Sequence, residues 1–287
     1  MALTRPTAFL VAWLVAAAAW GEVKIGTVHY DHDGVALEGV LAYDDAIAGP
    51  RPGVLIVHAW WGRGPQETSR ARQLAELGYT AMAIDMFGKG KRTEDPAQAG
   101  AWAGEMYTDR QLARDRLSAA LAVLRDQPTV DPSRIAIIGY CFGGAMAFEL
   151  AYAGAGIDAA ISFHGNPMPP MERDKTDARL LILHGADDPL APMPEMVSLV
   201  EALTNGGADV QLVAFGGAQH SFTDPTADKH GIEGVRYDAT ADERSWALMS
   251  MLFDDLWGQA DTPEPAAAPE PEPLPEPAPA TTQPTGD

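Results

Sequence analysis

Ile135-Ala136-Ile137-Ile138-Gly139-Tyr140-Cys141-Phe142-Gly143-Gly144-Ala145-Met146-Ala147 decides how the rest of the chain is read. A short apolar run enters a glycine-rich turn, and a helical pattern leaves it. The run is the length of a strand covered on both faces. The turn spells Gly-x-Cys-x-Gly, the pattern of a nucleophile elbow with sulfur in place of oxygen. Such a turn holds its central residue in a strained conformation, close to the neighbouring strand and helix. Gly139 and Gly143 supply positions without side chains there. Cys141 falls at the start of the helix, where free N–H groups and the helix dipole stabilise a thiolate. The Phe142 N–H is left free to donate to an oxyanion. The plainer reading is a buried cysteine in an ordinary strand–helix connection.

Outward from the turn, strand-like and helix-like stretches alternate. Strands are expected at 35–43, 53–58, 80–84, 134–138, 159–163, 180–183 and 210–215. Helices are expected at 69–77, 111–124, 145–152, 196–203 and 241–256, where apolar residues recur at three- and four-residue spacing. This alternation predicts an α/β domain, a mainly parallel sheet flanked by helices on both faces, over about residues 22–258.

Partners for the cysteine follow it in order: nucleophile, acid, histidine, as in α/β-hydrolases. The apolar run at 180–183 leads into His184-Gly185-Ala186-Asp187-Asp188-Pro189. Both aspartates are candidates for the acid, and Asp188 is preferred for its place in a Gly-x-x-Asp turn before a proline-containing loop. The alternative is that both merely cap a turn. The run at 210–215 leads through Gly216-Gly217-Ala218-Gln219 to His220, the one histidine of seven placed where the base belongs. His29, His32 and His230 read as surface residues. His164 and His184 end strands and read as satisfied structural histidines. Upstream, His58-Ala59-Trp60-Trp61-Gly62 follows an early strand, in the position that supplies the second oxyanion N–H in these folds. The two tryptophans also fit as the wall of a pocket, against ordinary core packing.

These segments together resemble the dienelactone hydrolase family, from about Val35 to Leu256. The carriers are Gly-Tyr-Cys-Phe-Gly-Gly at 139–144, His-Ala-Trp-Trp-Gly at 58–62, Ala-Ile-Asp-Met-Phe-Gly at 83–88, Asp-Asp-Pro-Leu-Ala-Pro at 187–192 and His-Ser-Phe at 220–222. The resemblance implies the α/β-hydrolase fold and a Cys141–His220–Asp188 triad. It also implies an oxyanion hole from the Trp60 and Phe142 N–H groups. Trp61, Ala59 and Lys89 fall at its substrate-binding positions. Two departures stand out. The family's first motif usually carries a glutamate, which helps form the thiolate when substrate binds; here the residue is Ala59. Family arginines that hold a substrate carboxylate correspond to Asp224 and about Lys89, and lysine lacks the bidentate fork. Broad hydrolysis of small esters or lactones is therefore expected over the namesake reaction. The alternative is a catalytically weak or inactive binding protein on the same scaffold, or hydrolysis of a thioester or peptide.

No cofactor is expected. No spacing resembles H-E-x-x-H, so no metal is expected either. Forty acidic residues against twenty basic give a net charge of -20, which argues against nucleic acid and anionic membrane surfaces. The lone cysteine excludes an intrachain disulfide.

The ends have their own character. Arg5 precedes an apolar run from Ala8 to Trp20, and Ala19-Trp20-Gly21 fits a small-x-small cleavage pattern. Residues 1–21 read as a secretory signal, since the run is shorter than the ~20 residues that cross a bilayer; an uncleaved anchor is the alternative. The expected destination is the periplasm or the medium, with no stable membrane insertion after cleavage. Residues 259–287 are a Pro/Glu/Ala-rich acidic tail, expected to be disordered.

Overall fold

A computed structural model describes residues 22–258. The expected signal and the expected tail lie outside the described residues. Eight strands form one sheet in the order β1-β2-β4-β3-β5-β6-β7-β8. In chain order they are β1 (Val23–His32), β2 (Val35–Asp44), β3 (Arg51–Val57), β4 (Thr80–Ile84), β5 (Val130–Tyr140), β6 (Ala159–Phe163), β7 (Arg179–Gly185) and β8 (Val210–Phe215). From β4 to β8 along the sheet every pairing is parallel. β1 and β2 add an antiparallel hairpin at one edge. The helices are α1 (Pro65–Glu76), α2 (Pro96–Thr108), α3 (Arg110–Arg125), α4 (Phe142–Tyr152), α5 (Met193–Asn205) and α6 (Ala239–Trp257).

Alternation along the strands assigns each face. Val54 and Ile56 of β3 point to one core, shared with Leu74 of α1 and Phe253 of α6. Leu55 and Val57 point to the other, shared with Met106 of α2, Leu117 of α3, Met146 of α4 and Leu199 of α5. All seven β3 residues are buried, which explains why that strand is apolar without alternation. Each such aliphatic side chain contributes roughly 1.5–3 kcal/mol by leaving water.

Two elements depart from the sequence expectation. β1 pairs with all ten residues of β2, and α2 fills a stretch left unassigned. Asp131-Pro132 makes a turn within β5: Asp131 Oδ1 accepts from Ser133 N at 3.0 Å, and the register against β3 shifts between Pro52 and Gly53. Parallel strands put the turns after β3, β5, β7 and β8 at one edge of the sheet, and the candidate residues other than Lys89 sit on those four turns.

Candidate active site

β5 ends at Tyr140, and α4 starts at Phe142. One residue makes the reversal, Cys141, with φ +54° and ψ −116°. The left-handed φ is uncommon for a residue with a side chain. What permits so tight a turn is the missing carbon on either side. A Cβ on Gly139 would stand 1.9 Å from the Gly143 carbonyl oxygen, and one on Gly143 would stand 2.4 Å from that of Val57. The expected elbow is thus built, and it seats Cys141, 9 % exposed, at the head of a helix.

The turn after β7 carries the acid. Asp188 is buried, while Asp187 is exposed. Asp188 Oδ1 accepts from Leu190 N at 2.8 Å and Ala191 N at 3.2 Å. Its Oδ2 lies 2.7 Å from His220 Nδ1. The turn after β8 carries His220, held by Gly234 O accepting from its N–H at 3.0 Å and by Arg236 N donating to its carbonyl at 3.0 Å. Burial alone would discharge this imidazole. The Cys141 sulfur and the Asp188 carboxylate outweigh burial and push its pKa up to about 10.

Cys141 and His220 open on one cavity of about 300 Å³. Trp60, Trp61, Leu190, Ile232 and Val235 give it apolar walls, and Asn166 and Ser221 supply the remaining polar groups. Its lining contains no lysine or arginine among the described residues. Neither the Trp60 N–H nor the Phe142 N–H has a hydrogen-bond partner among the described residues. Unengaged N–H donors of this kind are what an oxyanion requires.

Trp61 also faces a second, larger cavity of about 740 Å³ with charged walls. Ala59 belongs to that second space rather than to the cavity of Cys141. Lys89 is not brought to either. Its Nζ pairs with Glu38 Oε2 at 3.3 Å, because the turn after β4 runs back along β2 and its backbone N–H donates to Ala36 O. His230, read as a surface residue, is half-buried and stacks on Trp61 with ring centroids 4.4 Å apart. His184, read as satisfied, is fully buried with neither ring nitrogen partnered among the described residues. Burial lowers its pKa. His58 was not singled out by the sequence as more than part of a motif. Its Nε2 accepts from Met86 N at 3.1 Å and its Nδ1 donates to Ala59 O at 2.6 Å, so it ties the turn after β3 to the turn after β4. Among the described residues no group of three or more His, Cys, Asp or Glu is placed to hold a metal.

Comparison with known proteins bears on the same turns. The model of the dienelactone hydrolase family matches residues 37–256. The structure of P91, a dienelactone hydrolase-like promiscuous phosphotriesterase from metagenomic libraries, is 40% identical, with a TM-score of 0.79 over 82% of this chain and 98% of that one. A protein from Aquifex aeolicus named "Putative carboxymethylenebutenolidase" is 27% identical over 68% of this chain and 85% of its own. One of the same name from Saccharolobus solfataricus is 26% identical over 76% of this chain and 94% of its own. The family match runs without a break from β2 into α6 and takes in all four turns, so the chain belongs to the dienelactone hydrolase family and is a carboxylic ester hydrolase of the α/β-hydrolase fold.

Proposed function

We propose that this enzyme hydrolyses small, uncharged esters or lactones through a thioester formed on Cys141. The observation that carries this reading is the shared cavity of Cys141 and His220, with His220 tied to Asp188 at 2.7 Å. Asp188 takes the Nδ1–H, which leaves Nε2 to exchange the thiol proton. The imidazole, its pKa raised to about 10, takes that proton as sulfur attacks the carbonyl carbon. Carbon–sulfur bond formation pushes the carbonyl electrons onto oxygen, and the Trp60 and Phe142 N–H groups meet the charge. Each such donor is worth roughly 2.7–4 kcal/mol. The imidazolium returns its proton to the leaving alkoxide as the ester bond breaks. Water, deprotonated by His220, then cleaves the thioester and restores the thiol.

The neutral, aromatic-walled cavity supports uncharged acyl groups over carboxylate-bearing ones. A phosphotriester is uncharged too and open to the same nucleophile, and the 40% identical relative is named for that activity. Cys141→Ala assayed against activated short-chain esters is the test. Loss of at least about 10³-fold in kcat/KM is expected. Full activity in that variant would remove the cysteine from the mechanism and leave an unrelated activity on a binding scaffold. We also place the mature enzyme outside the cytoplasm, on the apolar run Ala8–Trp20; N-terminal sequencing of the exported protein is expected to start at or next to Glu22.

A further inference from the structure

The triad leaves one buried imidazole beside it unused. His164 follows β6 directly, with φ +41°. Four described non-glycine residues have positive φ, and three of them, Cys141, His164 and Ser221, lie on adjoining turns of the site. Strain of this kind persists only where surrounding contacts impose it. For His164 those contacts can be named. Its Nδ1 accepts the Cys141 backbone N–H at 3.2 Å, a proton shared with Phe163 O at 3.0 Å. Because Nδ1 accepts, the ring proton is on Nε2, which donates to Thr223 Oγ1 at 2.8 Å. The ring packs edge-on against His220 at 5.4 Å between centroids and against Phe222 at 5.1 Å.

We propose that His164 is a positioning residue: as a neutral imidazole it anchors the backbone of the nucleophile through Nδ1 and braces the ring of the base. A single side chain thereby fixes the distance between the two groups that must exchange a proton. The inference rests on Cys141 being the nucleophile. Neutrality is essential, because a proton on Nδ1 would turn the acceptor into a donor aimed at another N–H. Burial holds the ring neutral, and the positive charge on His220 adds to that, with smaller contributions from Arg70 and His184. The base can therefore carry a proton while its neighbour does not.

The test separates the two nitrogens. In His164→Asn the amide oxygen takes the place of Nδ1, and asparagine tolerates a left-handed φ. In His164→Gln the amide reaches instead to the place of Nε2. The Asn variant is expected to keep kcat within about threefold of wild type, and the Gln variant to lose about tenfold or more in kcat with KM little changed. Equal kcat values in the two variants, or a better Gln variant, would overturn the proposal, since loss of packing alone treats both amides alike. Nitrogen-15 NMR of the histidine rings in the wild-type protein decides the matter even if a variant does not fold. His164 is expected as the neutral Nε2–H form throughout pH 5–9, and a charged or Nδ1–H ring in that range overturns the idea. That spectrum does not depend on turnover, so failure here is distinct from failure of Cys141→Ala to abolish hydrolysis.

Discussion

Asp188 shows how much one side chain sets at the residue scale. Its carboxylate accepts two backbone N–H groups and the imidazole N–H. In Asp188→Asn the amide can present N–H to His220 Nδ1 and favour the wrong tautomer. A fall in kcat on the order of 10²–10⁴-fold is expected, with Tm changed far less than activity. The raised pKa of His220 carries a stability consequence with a definite sign. Its folded-state value of about 10 stands above the ordinary 6.5, so the folded protein holds this proton more tightly than the unfolded chain. The stabilisation is complete below pH 6.5 and is lost as pH rises through about 10. Urea denaturation of wild type and His220→Asn between pH 6 and 10 checks this: the stability gap is expected to narrow as pH rises. A gap that widens contradicts the assignment of the cause. The placement of Cys141, Asp188 and His220 on turns of one sheet edge was legible because the elbow glycines and the strand-end positions are local patterns. His164 was read as an ordinary satisfied histidine. It is satisfied, but its acceptor role depends on a donor 23 residues away, on the turn after the neighbouring strand, and no spacing rule carries that. Lys89 misled for the same reason. A charge near a motif says nothing about Glu38, which captures it across the hairpin.

Elements differ in how plainly they announce themselves. β4, β6 and β8 were read to the residue, because short apolar runs between turns have few other fates. β1 was passed over although Asp33 and Gly34 both take positive φ in the turn joining it to β2, and Asp-Gly between two alternating stretches is a hairpin signal. α2 is rich in alanine and glycine and lacks a sharp apolar stripe. Its start is nonetheless marked: Asp95 caps Ala97 N at 3.0 Å, and Pro96 stands at the first helical position. α4 has a different anchor at its far end. Glu149 is fully buried and binds Arg110 and Arg114 of α3, with Arg114 Nε at 2.7 Å, and Arg114 forks onto Asp174 at 2.9 and 2.7 Å. This cluster fastens α4 to α3 and to the segment after Asn166. Removing Glu149 leaves Arg110 and the Arg114 Nε without their carboxylate, while Arg114 keeps its fork onto Asp174. Glu149→Ala is expected to cost about 3–5 kcal/mol in urea denaturation, and a cost under about 1 kcal/mol would show that the cluster is not holding α4.

At the scale of the whole molecule, the deciding quantity is charge. The net charge of -20 has no counterpart inside the cavity that holds Cys141, whose lining is neutral apart from the Cys141–His220 pair. A neutral ester approaches through this field without cost. An ester that carries a carboxylate is repelled on approach and finds no lysine or arginine in the cavity to compensate. The field reaches about 30 Å from the surface at 0.01 M ionic strength and only about 3 Å at 1 M. Salt therefore separates approach from fit. Two esters of one acyl skeleton, one neutral and one with a carboxylate, serve as probes. For the anionic ester, kcat/KM is expected to rise about 3- to 10-fold between 0.01 M and 0.5 M salt, while the neutral ester changes less than about twofold. Even at high salt the anionic ester is expected to remain the poorer substrate, because screening removes the repulsion and supplies no cation. An anionic ester that is favoured at low salt, and loses ground as salt rises, would place a positive group within reach of Cys141 and overturn the choice of uncharged substrates.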